Sequence, residues 1–477
     1  MLIAAITRDR RHGLLERSVW RYLALLSSAA AVVVVVAFAA SPAQAGTGGE
    51  PPPAGVAKAT PPANLPHLPA NTPQTEQIRQ LVQCGGTMYA VGTFSTIRRG
   101  STTYTRHNVF SFKATAPYTV TSWAPNVVGT YGTTSNPSNT VNTIAFARGS
   151  CANAYIGGHF SSVNGTAVKN IAEISTTTGN VVKAFASNAS GAVQTLVGTH
   201  GRLIAGGNFT SINGDAADPY MVSLSPTTGK SDGYLHLHIS GNYQYPGVKA
   251  NTTHVYAARR SHSGSQILVE GDFTSVGGQA RQQAFILSIA GTTGVVTGWN
   301  APEFNTNCAT SEPFYVQDGA WSPDDSTVYF GTTGYHPANQ SSPPWTGPCD
   351  AALAFPSTPT AVSALWTNYT GCDSLYSAAA DSKAAYFGGH ERFSMNPDFC
   401  DQQGDSYSAP GMEGLDPANG ALYVNSAGTA GYYSRDRGLG ADYMLTTSAG
   451  LWIASDNLDQ SQKCGGVSTS GICFLPY

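Results

Sequence analysis

The stretch Leu203-Ile-Ala-Gly-Gly-Asn-Phe-Thr-Ser-Ile-Asn-Gly214 has near copies in Tyr155-Ile-Gly-Gly-His-Phe-Ser-Ser-Val-Asn-Gly165 and Leu268-Val-Glu-Gly-Asp-Phe-Thr-Ser-Val-Gly-Gly278. Looser copies are Tyr89-Ala-Val-Gly-Thr-Phe-Ser-Thr-Ile97, Tyr329-Phe-Gly-Thr332, Tyr386-Phe-Gly-Gly-His-Glu391 and Leu451-Trp-Ile-Ala-Ser-Asp456. Aligned on the last glycine, the copies stand on Gly92, Gly158, Gly207, Gly271, Gly331, Gly389 and Ser455, 49 to 66 residues apart. A period of that length marks a stacked array or a ring.

Each copy sits in the same surroundings. In the third unit an alternating run, Val193-Gln-Thr-Leu196, leads through a turn into Leu203 to Gly207. A polar loop follows, then Met221-Val-Ser-Leu224, a Thr227-Thr-Gly229 turn and a last short run. Four period-two runs separated by Gly, Asn, Asp and Pro predict a four-stranded antiparallel meander. Such a sheet cannot bury both faces alone. The expectation is therefore an all-β, seven-bladed β-propeller of four-stranded antiparallel blades. Glycine inside a strand implies close backbone approach. A phosphate loop is excluded, because no helix signal follows the glycines.

These phrases resemble the kelch-like delta-60 repeat of secreted bacterial propellers, over roughly residues 77–477 and most closely in the second to fourth units. Trp321-Ser-Pro-Asp-Asp-Ser-Thr-Val-Tyr-Phe330 is similar to a hairpin found in many other propeller repeats. The resemblance implies the fold and hardly any function, since propellers host binding, scaffolding and several chemistries.

Residues 1–45 read as a signal peptide: five Arg, an apolar stretch from Leu23 to Ala40, then Ala43-Gln-Ala45 as a cleavage site. An uncleaved anchor is the competing reading, since the apolar stretch approaches the length of a membrane span. Net charge is −3 for the chain and −6 without this segment, which gives no reason to expect nucleic-acid binding. Residues 46–64, rich in Pro, Ala and Gly, read as a disordered linker. Residues 65–76 are expected to close the propeller (65–477) as the outer strand of the last blade, where proline is tolerated. A secreted, extracellular monomer is expected, with no membrane contact after cleavage and no cofactor.

Eight cysteines in an exported chain argue for disulfides. Cys464–Cys473 flank one short loop, while Cys372–Cys400 and Cys308–Cys349 would staple long loops. Cys84–Cys151 remain, in similar positions of successive units. No Cys-x-x-Cys spacing suggests a metal site.

Two constellations are candidates for function. The position after the last glycine is polar in every unit: Thr93, His159, Asn208, Asp272, Thr332, His390 and Asp456. Such a rim could bind a polar ligand, or these residues could simply satisfy their own turns. The second is His390, Glu391 and Arg392 with Arg435 and Arg437, and with Asp398, Asp401, Asp405 and Glu413 nearby. Similar sequences carry comparable Gly-Gly-His-x-Arg and Arg-x-Arg-Gly phrases. A carboxylate pair here could serve a carbohydrate-active hydrolase or lyase; otherwise the arginines form a buried network. His236 and His238 alternate on one strand face, open either to a metal or to solvent. The leading expectation is a non-enzymatic binding or scaffold protein for an extracellular glycan or cell-surface protein.

Overall fold

The computed structural model describes residues 48–69, 76–129, 140–147, 149–199, 201–242, 252–305, 308, 314–334, 347–397, 400, 404–435, 440–456 and 463–477. Residues 1–45, read above as a signal peptide, and Arg437 lie outside them. The fold is all-β, built of antiparallel sheets with one short 3-10 turn at Pro302–Phe304. Among the described residues no helix is long and apolar enough to cross a membrane.

Seven larger sheets follow one another along the chain, each a meander whose second strand lies between the first and third. Their first strands are Gln77–Cys84, Thr140–Phe146, Val193–Thr199, His254–Arg260, Val316–Trp321, Leu375–Ala380 and Ala441–Thr447. The repeated phrase forms the second strand, as in Thr87–Thr93, Asn153–His159 and Arg202–Gly207. Among the described residues a regular fourth strand occurs only in the fourth sheet, Val295–Val296, and the fifth, Trp366–Tyr369. In the first, second, third and sixth sheets it shrinks to one bridge: Phe112 with Val120, Ile174 with Val181, Leu224 with Ser231, Leu415 with Leu422. Much of the polar loop after the glycines is itself a small hairpin, such as Thr96–Arg99 with Thr102–Thr105.

Burial of apolar side chains joins the sheets in sequence. The first and second sheets share a core around Tyr89, Trp123, Ile144 and Ile156, and the second and third one around Tyr155, Phe185, Leu203 and Phe209. Each later sheet packs on its successor in the same way. The seventh packs on the first through Trp452, Phe474, Phe110 and Phe112.

The two glycines have separate causes. A Cβ on Gly157, Gly206 or Gly388 would press on Val193, Val255 or Ala441, each in the next sheet's first strand. A Cβ on Gly92, Gly158, Gly207, Gly271 or Gly389 would collide with a backbone carbonyl at or just before the start of its own first strand. The first glycine admits the neighbouring sheet and the second admits the adjacent strand.

The register corrects the alignment of the fifth unit by one residue. Val316 pairs with Thr332, as Val193 pairs with Gly207, so Thr332 occupies the last-glycine position. Gly331 does the work of the first glycine, facing Leu375 of the sixth sheet. The buried Thr332 hydroxyl donates to the Pro348 carbonyl and accepts from the Ala351 N–H at 3.0 Å.

The residue before the third strand recurs in left-handed geometry: Asn108, Asn170, Tyr220, Gln283 and Asp350, with φ of 49° to 68°. Asn tolerates that region because its short polar side chain can bond locally. Asn170 also joins two sheets. Its Oδ1 accepts the Phe160 N–H at 3.2 Å, and its Nδ2 donates to the Ala189 and Gly191 carbonyls, both at 3.0 Å.

Two expectations about the N-terminal stretch need correction. Residues 48–64 are not a free linker. Glu50 makes a parallel bridge with Tyr423, Ala57 is fully buried, and Lys58 N–H donates to the Pro476 carbonyl at 2.8 Å. Small apolar side chains give little sequence signal, yet they fit against Tyr423, Tyr433 and Leu475. Nor do the described residues of 65–76 form a fourth strand on the seventh sheet. Leu68 N–H donates to Ser470, but His67 bridges Arg98 in the first unit. Leu65 and Leu68 enter the core shared by the seventh and first sheets, which makes this stretch a wedge rather than an edge. Residues 70–75 lie outside the described residues.

The disulfides are Cys84–Cys151, Cys308–Cys349, Cys372–Cys400 and Cys464–Cys473. The first ties the first sheet to the second, across a Cα separation of 5.8 Å that suits a disulfide.

Candidate functional site

Every one of the seven first strands carries a β-bulge near its start. The register shifts between Ile78 and Gln80, Val141 and Thr143, Val193 and Thr195, and Val255 and Ala257. It shifts again between Val316 and Asp318, Leu375 and Ser377, and Ala441 and Tyr443. A bulge inserts one residue that the ladder does not use and re-aims its side chain. The inserted residues are Arg79, Asn142, Gln194, Tyr256, Gln317, Tyr376 and Asp442. All seven line a single cavity of about 80 Å³.

That volume holds a few water-sized groups and falls well short of the ~300 Å³ at which small-molecule pockets begin. Its charges are unevenly matched. Arg259 donates from Nε to Asp318 Oδ1 at 2.8 Å and from Nη2 to Oδ2 at 2.5 Å, and its guanidinium lies 4.3 Å from the Tyr443 ring centre. Asp442 is pushed up to about 6, chiefly by burial; Arg79 opposes the shift, while Asp456 and Asp318 add to it. Burial also pushes the Tyr376 hydroxyl up. Tyr256 lies against His254 and Tyr315, and Tyr376 stands edge-on to His390 at 5.0 Å. Behind the cavity Glu270 is fully buried, with neither oxygen hydrogen-bonded among the described residues, and burial raises it well above the ordinary carboxylate range. Gly319, lacking a Cβ, leaves room for that carboxyl.

The predicted polar rim does not line this cavity. Thr93 Oγ1 meets Thr140 Oγ1 of the second sheet at 2.8 Å, and the Asp456 backbone bridges Gln77 of the first. Asp272 and Asp456 are buried, Asn208 is exposed, and His159 and His390 are half-buried. Thr332 is committed to its own unit, as described above. Thr93, His159 and Asp272 each face the first residue of their unit's first strand, and Asp456 faces that of the first unit.

The second constellation splits. Arg392 donates from Nε to Asp373 Oδ2 at 2.6 Å and from Nη2 to the Cys400 carbonyl at 2.7 Å. Arg435 is buried and donates to Ser455 Oγ. Glu391 is fully sealed beside Glu413, one of the nearby carboxylates of that unit. Burial, with the Glu413 carboxyl, holds Glu391 well above the ordinary range. Burial pushes Glu413 to about 8, against a pull from the Ser394 hydroxyl. A carboxyl without solvent contact cannot meet a glycan in this conformation. His236 and His238 are both exposed, between the buried Leu235, Leu237 and Ile239, with His236 Nδ1 3.8 Å from Asp218.

Among the described residues no group of three or more His, Cys, Asp or Glu side chains is arranged to hold a metal ion. No family model matches the chain. No curated protein matches it either.

Proposed function

We propose that this chain is a secreted, seven-bladed β-propeller that recognises an extracellular glycan or protein and does no chemistry on it. Seven blades are supported by the seven meanders, each packed on the next and the seventh on the first. Secretion is supported by the basic and apolar leader and by four disulfides, which persist in oxidising compartments.

One observation carries the recognition reading. Beside the outer strand of the fifth sheet lies a concavity of about 590 Å³, lined among others by Asn368, Tyr369, Met395, Asp405, Tyr407 and Thr429. Its size is within the range of ligand pockets, and tyrosine faces beside carboxamide and carboxylate groups suit a sugar ring. The wall is pre-formed. Asn368 Oδ1 accepts the Met395 N–H at 2.8 Å, its Nδ2 donates to the Gly420 carbonyl at 3.0 Å, and Met395 is held at a φ of 56°. A rigid wall lowers the entropy lost on binding.

A glycan array combined with product analysis tests this. Binding without turnover is expected, weakened at least about tenfold by Asp405→Ala or Tyr407→Ala. Turnover that disappears in Glu391→Gln would replace this reading with a carbohydrate-active enzyme.

A further inference from the structure

We propose that the cavity formed by the seven bulges binds a single carboxylate group through Arg79. Among the described residues nothing hydrogen-bonds or ion-pairs with this guanidinium, and its Nε is shielded from solvent without a partner. A shielded donor left unmet is costly, so the cavity favours a group that answers it. The other charges are less available. Arg259 and Asp318 hold each other at two points. Asp442 feels Arg79, and its burial weakens it as a permanent counter-ion.

The ligand class follows from shape and charge. The planar fork of arginine matches a carboxylate at two points. Asn142, Gln194 and Gln317, with Tyr256 and Tyr376, share the same lining. About 80 Å³ admits a group of a few atoms and excludes a whole sugar ring. A dianion such as sulfate would suffer twice the repulsion from Asp318 and Asp442. The carboxylate could belong to a small free acid or to a larger acid that inserts only that group.

Calorimetric titration of the full-length secreted chain with acetate, glucuronate and sulfate at constant ionic strength tests the proposal. Acetate should bind with a Kd of roughly 0.1–10 mM, within the efficiency limit for so few atoms. Arg79→Gln should weaken it about 10- to 100-fold, Arg79→Lys less, and Asp442→Asn should tighten it. Acetate binding alone identifies a small free acid; glucuronate binding as well identifies the acid group of a sugar. No saturable heat with acetate, sulfate binding as tightly, or an affinity unchanged by Arg79→Gln would overturn the proposal. Should Arg79→Gln fail to fold, an affinity unchanged in Asp442→Asn overturns it equally.

Discussion

Replacing Gly207 with alanine tests the origin of the repeat. The new Cβ would overlap the Ala192 carbonyl oxygen, with the Gln194 nitrogen and Val193 Cα each at 3.1 Å. All three belong to backbone, so no side chain can swing aside. The first strand must retreat from the second, which costs about 1–3 kcal/mol as overpacking. Retreat also strains the bond beside the bulge, Asn208 N–H to the Ala192 carbonyl at 3.1 Å. With ~1 kcal/mol for a weakened bond, the expected loss is about 2–4 kcal/mol. The fifth and seventh sheets carry Thr332 and Ser455 in this position, so the architecture can admit a Cβ when the strand is set for it. The question is whether the third sheet can follow. Gly86→Ala is the control: its Cβ meets nothing within 4 Å, and it should be neutral or stabilising by about 0.4–1 kcal/mol. Urea denaturation of both variants gives the comparison. If Gly207→Ala unfolds at the wild-type midpoint, the carbonyl does not enforce the glycine and the account of the motif is wrong.

Three further outcomes are expected. Replacing Cys84 and Cys151 by serine should cost about 4 kcal/mol, because that bridge closes 67 residues, against ~2.5 kcal/mol for Cys464 and Cys473, which close 9; denaturant midpoints under matched conditions would rank them. Glu413 is raised to about 8 when folded, so its contribution to stability is full below the unfolded value near 4.5 and is lost as pH rises through about 8. Glu413→Gln should therefore flatten the fall in Tm between pH 5 and 8, and a fall of wild-type size in the variant would refute this. Asn170→Ala removes three bonds between neighbouring segments and leaves alanine at a φ of 65°, so it should lose about 2–4 kcal/mol, with Asn170→Gly losing less. Equal losses in the two variants would show that backbone geometry plays no part.

Much of the architecture was legible because it rests on local chemistry. Alternation in Val193-Gln-Thr-Leu196 and the glycines of Leu203–Gly207 mark paired strands without any tertiary knowledge. Cysteine positions pointed firmly to Cys464–Cys473 alone, which flank one short loop; the other three pairings follow from which loops the fold brings together. The bulges were hidden because an inserted residue such as Gln194 fits the alternation it interrupts. Their signal lies in seven equivalent strands, where an apolar anchor such as Ile78, Val141 or Val193 is followed by a side chain that the ladder never uses. Thr332 was misplaced because glycine was used as the ruler, whereas spatial equivalence follows the anchor Val316. Residues 48–58 escaped because Pro, Ala and Gly read as disorder unless their contacts with Tyr423 and Tyr433 are known. Glu413 was among the carboxylates counted near Glu391, but only folding shows that the two are sealed side by side.

The bulges also separate two tasks that a protein usually has to balance. Arg79, Asn142, Gln194, Tyr256, Gln317, Tyr376 and Asp442 hold no place in the pairing of their strands. Evolution, or an engineer, could rewrite them one at a time and retune the lining of the cavity, while the ladders of paired strands around it are left as they are.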